Sequence, residues 1–263
     1  MNTIQRVKQG EQFQKTGCSA CRESAFLVPF SMAFQPIVDF EAGKLFAYEA
    51  LVRGVNGESA FSVLSQANDE NRYALDQQCR VKAIELGASL SLPDTGAYLS
   101  INFYPNAVYE PAACLRKTLE TASRVGFPLD RLIFEVTEGE KVRDHEHLNH
   151  ILREYRAQGF KTAIDDFGAG YAGLNLLAKF QPDILKIDAE LTREIDKRPV
   201  SQTIVRAIQQ VSEALNIQTI AEGIETPAEL SALRDLGLRY FQGYHFARPG
   251  FESLPSCSDS GIA

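Results

Sequence analysis

An α/β fold whose parallel strands close into a barrel is predicted by three observations. The chain has 263 residues, close to the roughly 250 that a (β/α)8 barrel uses. From about residue 30 onward, strand-like and helix-like segments alternate, and repeated β–α units imply a parallel sheet. About eight strand-like segments in this span favour closure over an open sheet. A hydrophobic fraction of 44 % is enough for a substantial core.

The elements follow in order. "MAFQPIVDF" and "KLFAYEALV" flank the turn "EAG", which predicts an antiparallel hairpin. A long helix is expected from about Asn71 to Leu92, and "AYLSINF" reads as a strand. "EPAACLRKTLETASRV" is a helix with Pro111 near its start. "RLIFEVT" is a strand, and "DHEHLNHILREYRAQG" a helix ended by Gly159. "KTAID" and "DILKID" are strands, and "VSQTIVRAIQQVSEALN" is an amphipathic helix. "IQTIAEG" is a strand, "TPAELSALRDLG" a helix with Thr226 as N-cap and Pro227 in its first turn, and "RYFQGY" the last strand. The barrel is thus expected over 29–252, between an N-terminal arm at 1–28 and a disordered tail at 253–263.

Composition excludes several classes. A formal net charge of −7 rules against a general electrostatic grip on DNA or RNA. No apolar run is long enough for a membrane span, and the N-terminus lacks a signal-type apolar region, so a cytoplasmic protein is expected. The five cysteines are odd in number and scattered, which argues against a disulfide framework. Cys18-x-x-Cys21 is a lone pair, read as plain thiols in the arm. His145-Glu146-His147-Leu148-Asn149 falls one histidine short of a zinc-protease motif, because Asn149 stands at the second ligand position.

Strand alternation then separates two faces. Leu132, Phe134 and Val136 oppose Ile133, Glu135 and Thr137; Leu99, Ile101 and Phe103 oppose Tyr98, Ser100 and Asn102; Leu185 and Ile187 oppose Ile184, Lys186 and Asp188. The first face packs on helices. The second faces the barrel axis and becomes polar toward the C-terminal strand ends, which in a barrel share one mouth. One polar position per strand gives Glu49, Asn102, Glu135, Asp165 with Asp166, Lys186, Glu222 and Gln242. So many converging carboxylates raise each other's pKa and call for cations. All-oxygen donors suit Mg²⁺ or Mn²⁺. Two ions bridged by an aspartate would use the set better than one, in the arrangement that drives in-line phosphoryl displacement. Lys186 is expected to orient or deprotonate the attacking water or to neutralise charge on the phosphate, and Gln242 to position the water.

One motif competes. Gly168-x-Gly170-x-x-Gly173 has the spacing of a dinucleotide-binding fingerprint, with Asp188 about 20 residues beyond Gly168. Asp165 and Asp166 directly precede it and would repel a pyrophosphate, so the spacing is read as coincidental.

"FQPIV", "YEALVRG", "INFYP", "FEVTEGE", "IDDFGAGYAGLNLL", "PDILKID", "IAEGIET" and "FQGYHFARP", in this order between Met32 and Pro249, resemble the EAL-domain family of cyclic di-GMP phosphodiesterases, here in stand-alone form. The resemblance implies a modified TIM (β/α)8 barrel with an antiparallel first strand. It implies hydrolysis of cyclic di-GMP to linear pGpG, which lowers a bacterial second messenger governing biofilm and motility. In that scheme Glu49, Asn102, Glu135 and Asp165 hold one of two Mg²⁺ or Mn²⁺ ions, and Asp165, Asp166 and Glu222 the other. Lys186 and Gln242 attend water and phosphate, Arg53 binds a substrate phosphate, and Gln35 touches the nucleotide. Glu138 anchors the glycine-rich loop, with Glu225 and Asp188 in support. Ca²⁺ is expected to inhibit, because its coordination is larger and looser. A homodimer is implied through the region after the glycine-rich loop, and the arm is a candidate dock for an unknown protein. Tyr104, Gly54 and Ala169 depart from the family's usual residues, but no ligand is lost. The alternative is a non-catalytic cyclic di-GMP receptor or protein-interaction module; such relatives typically lose metal ligands, and this chain keeps them.

Overall fold

The computed structural model describes residues 26–105, 108, 111–137, 145–170 and 173–257. The Cys18/Cys21 arm, Glu138 and residues 258–263 lie outside the described residues. The strands are β1 (Phe30–Asp39), β2 (Lys44–Gly54), β3 (Tyr98–Asn102), β4 (Leu132–Thr137), β5 (Lys161–Phe167), β6 (Ile184–Ile187), β7 (Gln218–Ala221), β8 (Tyr240–Gln242) and β9 (Gly250–Phe251). The α-helices are α1 (Ala60–Leu64), α2 (Arg72–Ser89), α3 (Pro111–Val125), α4 (His145–Ala157), α5 (Gly173–Lys179), α6 (Ala189–Thr192), α7 (Pro199–Ala214) and α8 (Pro227–Asp235).

β2 through β8 pair in sequence order and in parallel, and β1 closes the ring by pairing antiparallel with both β2 and β8. The hairpin expected from "EAG" is therefore present, and it makes the first strand the antiparallel member of the barrel. The closing seam is fixed by Asp39, whose carboxylate accepts from Arg239 Nε at 2.6 Å and Nη2 at 2.7 Å. Such a two-point guanidinium–carboxylate contact sets angle as well as distance.

The two faces read from the alternation correspond to two cores. Ile37, Phe46, Ile133, Ala163, Ile184 and Ile220 fill the barrel axis, with Tyr98 and Tyr240 against them. Leu99, Ile101, Leu132, Phe134, Leu185 and Ile187 face outward into the larger core under the helices. The apolar plug leaves the axial space above it, toward the C-terminal strand ends, to polar side chains.

Local chemistry explains the boundaries. Thr226 and Glu229 form a reciprocal capping box at α8, with Pro227 in the first turn. The helix expected to reach Leu92 stops at Ser89, and a 3-10 turn over Leu92–Thr95 leads into β3. β9 was not anticipated; it pairs with Ala33 and Phe34 of β1. Nor do residues 253–257 behave as the expected disordered tail. Leu254 and Cys257 pack against the outer core, and Tyr48 Oη donates to the Pro255 carbonyl at 2.8 Å. The β1–β2 hairpin has no crossover helix of its own, so this segment covers apolar surface on it.

Candidate metal centre

Sheet register brings the polar residues together. Asn102 lies opposite Glu135, Thr137 opposite Asp165, Gln35 opposite Glu49, and Ile37 opposite Gln242. Consecutive Asp165 and Asp166 would face opposite sides of a regular strand. Here the β5–β6 register shifts between Ile164 and Phe167, and Asp166 adopts φ +55°. The resulting bulge turns both carboxylates toward the mouth, as bulges beside functional sites do. Gly168 continues the turn at φ +103°, where an added Cβ would lie 2.4 Å from Leu191 Cδ1. The positive φ of the turn is what calls for glycine here, since Leu191 Cδ1 ends a flexible side chain that can shift.

Lys186 sits at the centre and is wholly buried. Its Nζ lies 2.8 Å from Asp165 Oδ1, 2.8 Å from Glu222 Oε1, 3.0 Å from Glu135 Oε2 and 3.1 Å from Glu49 Oε2. An ammonium has three protons to give, and here it faces four carboxylates with Asp166 nearby. Burial, then the neighbouring carboxylates, push the Glu135 carboxyl up to about 8 and Asp166 to about 6. The same two causes raise Asp165 and carry Glu222 well above the carboxylate range. For Glu49 burial also acts upward, but Lys186, Gln242 and Asn102 outweigh it and hold the carboxyl down. Burial works against the Lys186 charge, and Asp165, Glu135, Glu222 and Glu49 reverse that effect, so its pKa stands well above the usual lysine value. The surrounding carboxylates thus favour the ammonium form of Lys186, which suits orienting water or neutralising phosphate charge.

The donor set fits two hard cations. Glu49, Glu135 and Asp165 offer oxygens that converge within 4.8 Å of one another, and so do Asp165, Asp166 and Glu222. The two groups share Asp165, and the excess of buried carboxylate over ammonium is the imbalance that cations correct. Asn102 Nδ2 donates to Glu49 Oε1 at 3.1 Å, which places its amide beside the first group. Gln242 Nε2 donates to Glu49 Oε2 at 2.7 Å and to Gln35 Oε1 at 3.3 Å, while its buried Oε1 has no hydrogen-bond partner among the described residues. Gly243 fixes this strand end: a Cβ there would stand 2.1 Å from the Ile224 carbonyl oxygen.

Of the remaining predicted residues, Asp188 and Glu225 line the groove with Glu49 and Glu222, and Arg53 does not. Arg53 is half-buried, with Nη1 donating to its neighbour's carbonyl at Val52, 2.7 Å away. Asp188 caps α6 through the Glu190 amide and lines the same groove as Asp166. Glu225 faces Arg193 at 3.3 Å rather than a carboxylate of the cluster. Two contributors were missed. Ser100 Oγ donates to Glu135 Oε1, and the alternation had already placed Ser100 inward. Arg193 lines the same groove as Glu49 and Glu222, and nothing in its local sequence marks it. His147 Nε2 meets the Val108 carbonyl.

The EAL domain model matches residues 27–249, and the chain belongs to the EAL domain family. It is 34 % identical over 225 residues to the blue light- and temperature-regulated antirepressor BluF of Escherichia coli, covering 85 % of this chain and 55 % of BluF. It is 38 % identical over 135 residues to the E. coli cyclic di-GMP phosphodiesterase PdeR, covering 51 % of this chain and 20 % of PdeR. The chain thus spans about half the length of the first of these relatives and a fifth of the second. Among solved structures it resembles a standalone versatile EAL protein from Vibrio cholerae O395 in its c-di-GMP-bound form. The TM-score is 0.86 at 51 % identity, over 90 % of this chain and 99 % of that one. It also resembles Klebsiella pneumoniae BlrP1 in a manganese and cyclic diGMP complex, with TM-score 0.82 and 35 % identity over 87 % and 58 % of the respective chains.

Proposed function

We propose that this protein is a divalent-cation-dependent phosphodiesterase that hydrolyses cyclic di-GMP to linear pGpG. The observation that carries the reading is the sharing of Asp165 by two carboxylate groups around Lys186, one buried and one partly exposed at the mouth. Glu49, Asn102, Glu135 and Asp165 would hold one Mg²⁺ or Mn²⁺, and Asp165, Asp166 and Glu222 the other. Such a pair, when bound, supplies a hydroxide nucleophile and offsets phosphate charge. The Lys186 ammonium offers protons to phosphate oxygen or water. Gln242 presents its unpartnered Oε1 to a water proton, and Gln35 holds its amide in place. Arg53, four residues beyond Glu49 on β2, has the planar fork that suits the second phosphate of a cyclic dinucleotide. BlrP1 complexes with cyclic diGMP and manganese or calcium support the ligand and cation classes.

A homodimer is part of the reading. Val200, Ile204, Val211 and Leu215 are exposed along α7 and its end, and Leu174 is exposed on α5 just after the glycine-rich loop. Such an apolar stripe suits a second copy. No helix among the described residues is long and apolar enough to cross a membrane. A cytoplasmic location and a protein partner met through the N-terminal arm complete the proposal.

The test is incubation of the protein with cyclic di-GMP and Mg²⁺, Mn²⁺ or Ca²⁺, with chromatographic separation of products and Glu49→Ala as control. Conversion to pGpG with Mg²⁺ or Mn²⁺, lost in the control and blocked by Ca²⁺, is expected. Intact substrate after incubation of folded protein with either activating ion would overturn the reading.

A further inference from the structure

The backbone just past Asn102 is clamped from two sides. Phe103 N–H donates to the Glu135 carbonyl at 2.9 Å, and Tyr104 N–H donates to Asp76 Oδ1 at 2.9 Å. Asp76 reaches across from α2, beside a cavity of about 230 Å³ that Asn102 and Tyr104 also line. Its other oxygen lies 2.7 Å from Arg80 Nη2, in an ion pair whose side chains are 1 % and 0 % exposed. Arg80 Nη1 donates to Tyr155 Oη at 2.6 Å. The Arg80 guanidinium stands 5.4, 5.3 and 5.7 Å from the rings of Phe103, Phe134 and Tyr155.

A buried ion pair seldom stabilises a fold more than apolar side chains of the same volume would. The aromatic surroundings here would accept such a replacement. What the Asp76 carboxylate supplies, and an apolar side chain cannot, is an acceptor for the Tyr104 amide. That amide is two residues beyond Asn102, just past the end of β3. The other clamp comes from Glu135, itself in the carboxylate cluster, so Asp76 ties α2 to the same backbone turn from the outside of the barrel.

We propose that Asp76 is a positioning residue for Asn102, with Arg80 and Tyr155 holding its carboxylate on the Tyr104 amide. The inference rests on the proposed role of Asn102 as a cation ligand. Partners one step removed from a metal ligand typically change affinity 10–100-fold when lost.

The test compares two double variants that differ only in the acceptor, D76L/R80M and D76N/R80M. Mn²⁺ binding is measured by calorimetric titration and stability by urea unfolding. The leucine variant is expected to fold and to bind Mn²⁺ about 10–100-fold more weakly than the parent. The asparagine variant should bind within about threefold of the parent whichever of the two is more stable. A folded leucine variant with parent-like Mn²⁺ binding would overturn the positioning role alone. Failure of the parent to bind Mn²⁺ would overturn the cation reading and this one with it. If D76L/R80M does not fold, single Asp76→Asn decides the matter. It keeps the acceptor while weakening the ion pair, so binding should hold while the unfolding midpoint falls; binding lost in step with stability refutes the proposal.

Discussion

Replacing Lys186 by methionine removes the ammonium while nearly preserving side-chain length. In the cation-free protein four carboxylates lose a partner at 2.8–3.1 Å. Breaking a buried ion pair from one side costs about 3–5 kcal/mol. The four contacts do not multiply that figure, because Glu135, held up to about 8 chiefly by burial, is largely protonated at neutral pH before the substitution and leaves no full charge unpaired. Lys186→Met is therefore expected to lose about 3–5 kcal/mol in EDTA at pH 7, read by urea unfolding. Cations should restore more stability to the variant than to the parent, because they no longer compete with a positive charge and bind only the folded state. Hydrolysis should nonetheless fall at least about 100-fold, the usual scale for losing a positioned proton donor. A cation-free variant within about 1 kcal/mol of the parent, or one that Mn²⁺ stabilises less than the parent, would refute the charge-balance argument.

Other perturbations probe the frame and the assembly. Gly243→Ala places a methyl 2.1 Å from the Ile224 carbonyl oxygen; overpacking of this kind costs about 1–3 kcal/mol, and displacement of Gln242 should lower kcat more than it raises KM. Asp39→Asn weakens the barrel seam by about 1–3 kcal/mol at pH 7. The Arg239 hydrogen bonds hold the Asp39 carboxyl below its ordinary value, against the opposing effect of burial. Its stabilising contribution is thus present above about pH 4 and lost as pH falls through the lower folded value. The gap between parent and variant in urea unfolding should close accordingly at low pH; a gap unchanged by acid would count against the seam. Ile204→Glu, on the exposed stripe of α7, should shift sedimentation from dimer to monomer, and an unshifted dimer would place the interface elsewhere.

The barrel was legible because its pattern is simple. Alternation in "LIFEVT", "AYLSINF" and "ILKID" assigns each residue to axis or helix face, and the two cores follow that assignment. The hairpin was legible from its turn. The carboxylate set was legible because an acid on the inward face of a strand end has few structural reasons to be there. Alternation by itself fails at Asp166, which it points away from the mouth. Only the bulge at φ +55° corrects this, and backbone left-handedness is not written in an aspartate. Asp76 and Arg80 look in sequence like a surface pair one helical turn apart; the aromatic residues around Arg80 come from just past β3, from β4 and from α4, farther along the chain. The cover over β1–β2 was missed for a related reason, since "SLPSCSDSGIA" is polar in composition and Leu254 and Cys257 gain a role only once Tyr48 is placed.

The central claim is that one aspartate serves two cation sites, and the count of bound Mn²⁺ per chain tests it most directly. Equilibrium titration of the parent, Asp166→Asn and Asp165→Asn separates the sites. Two ions for the parent, one for Asp166→Asn and weakened binding at both sites for Asp165→Asn are predicted. A single ion in the parent, or Asp165→Asn retaining two at parent affinity, would contradict it.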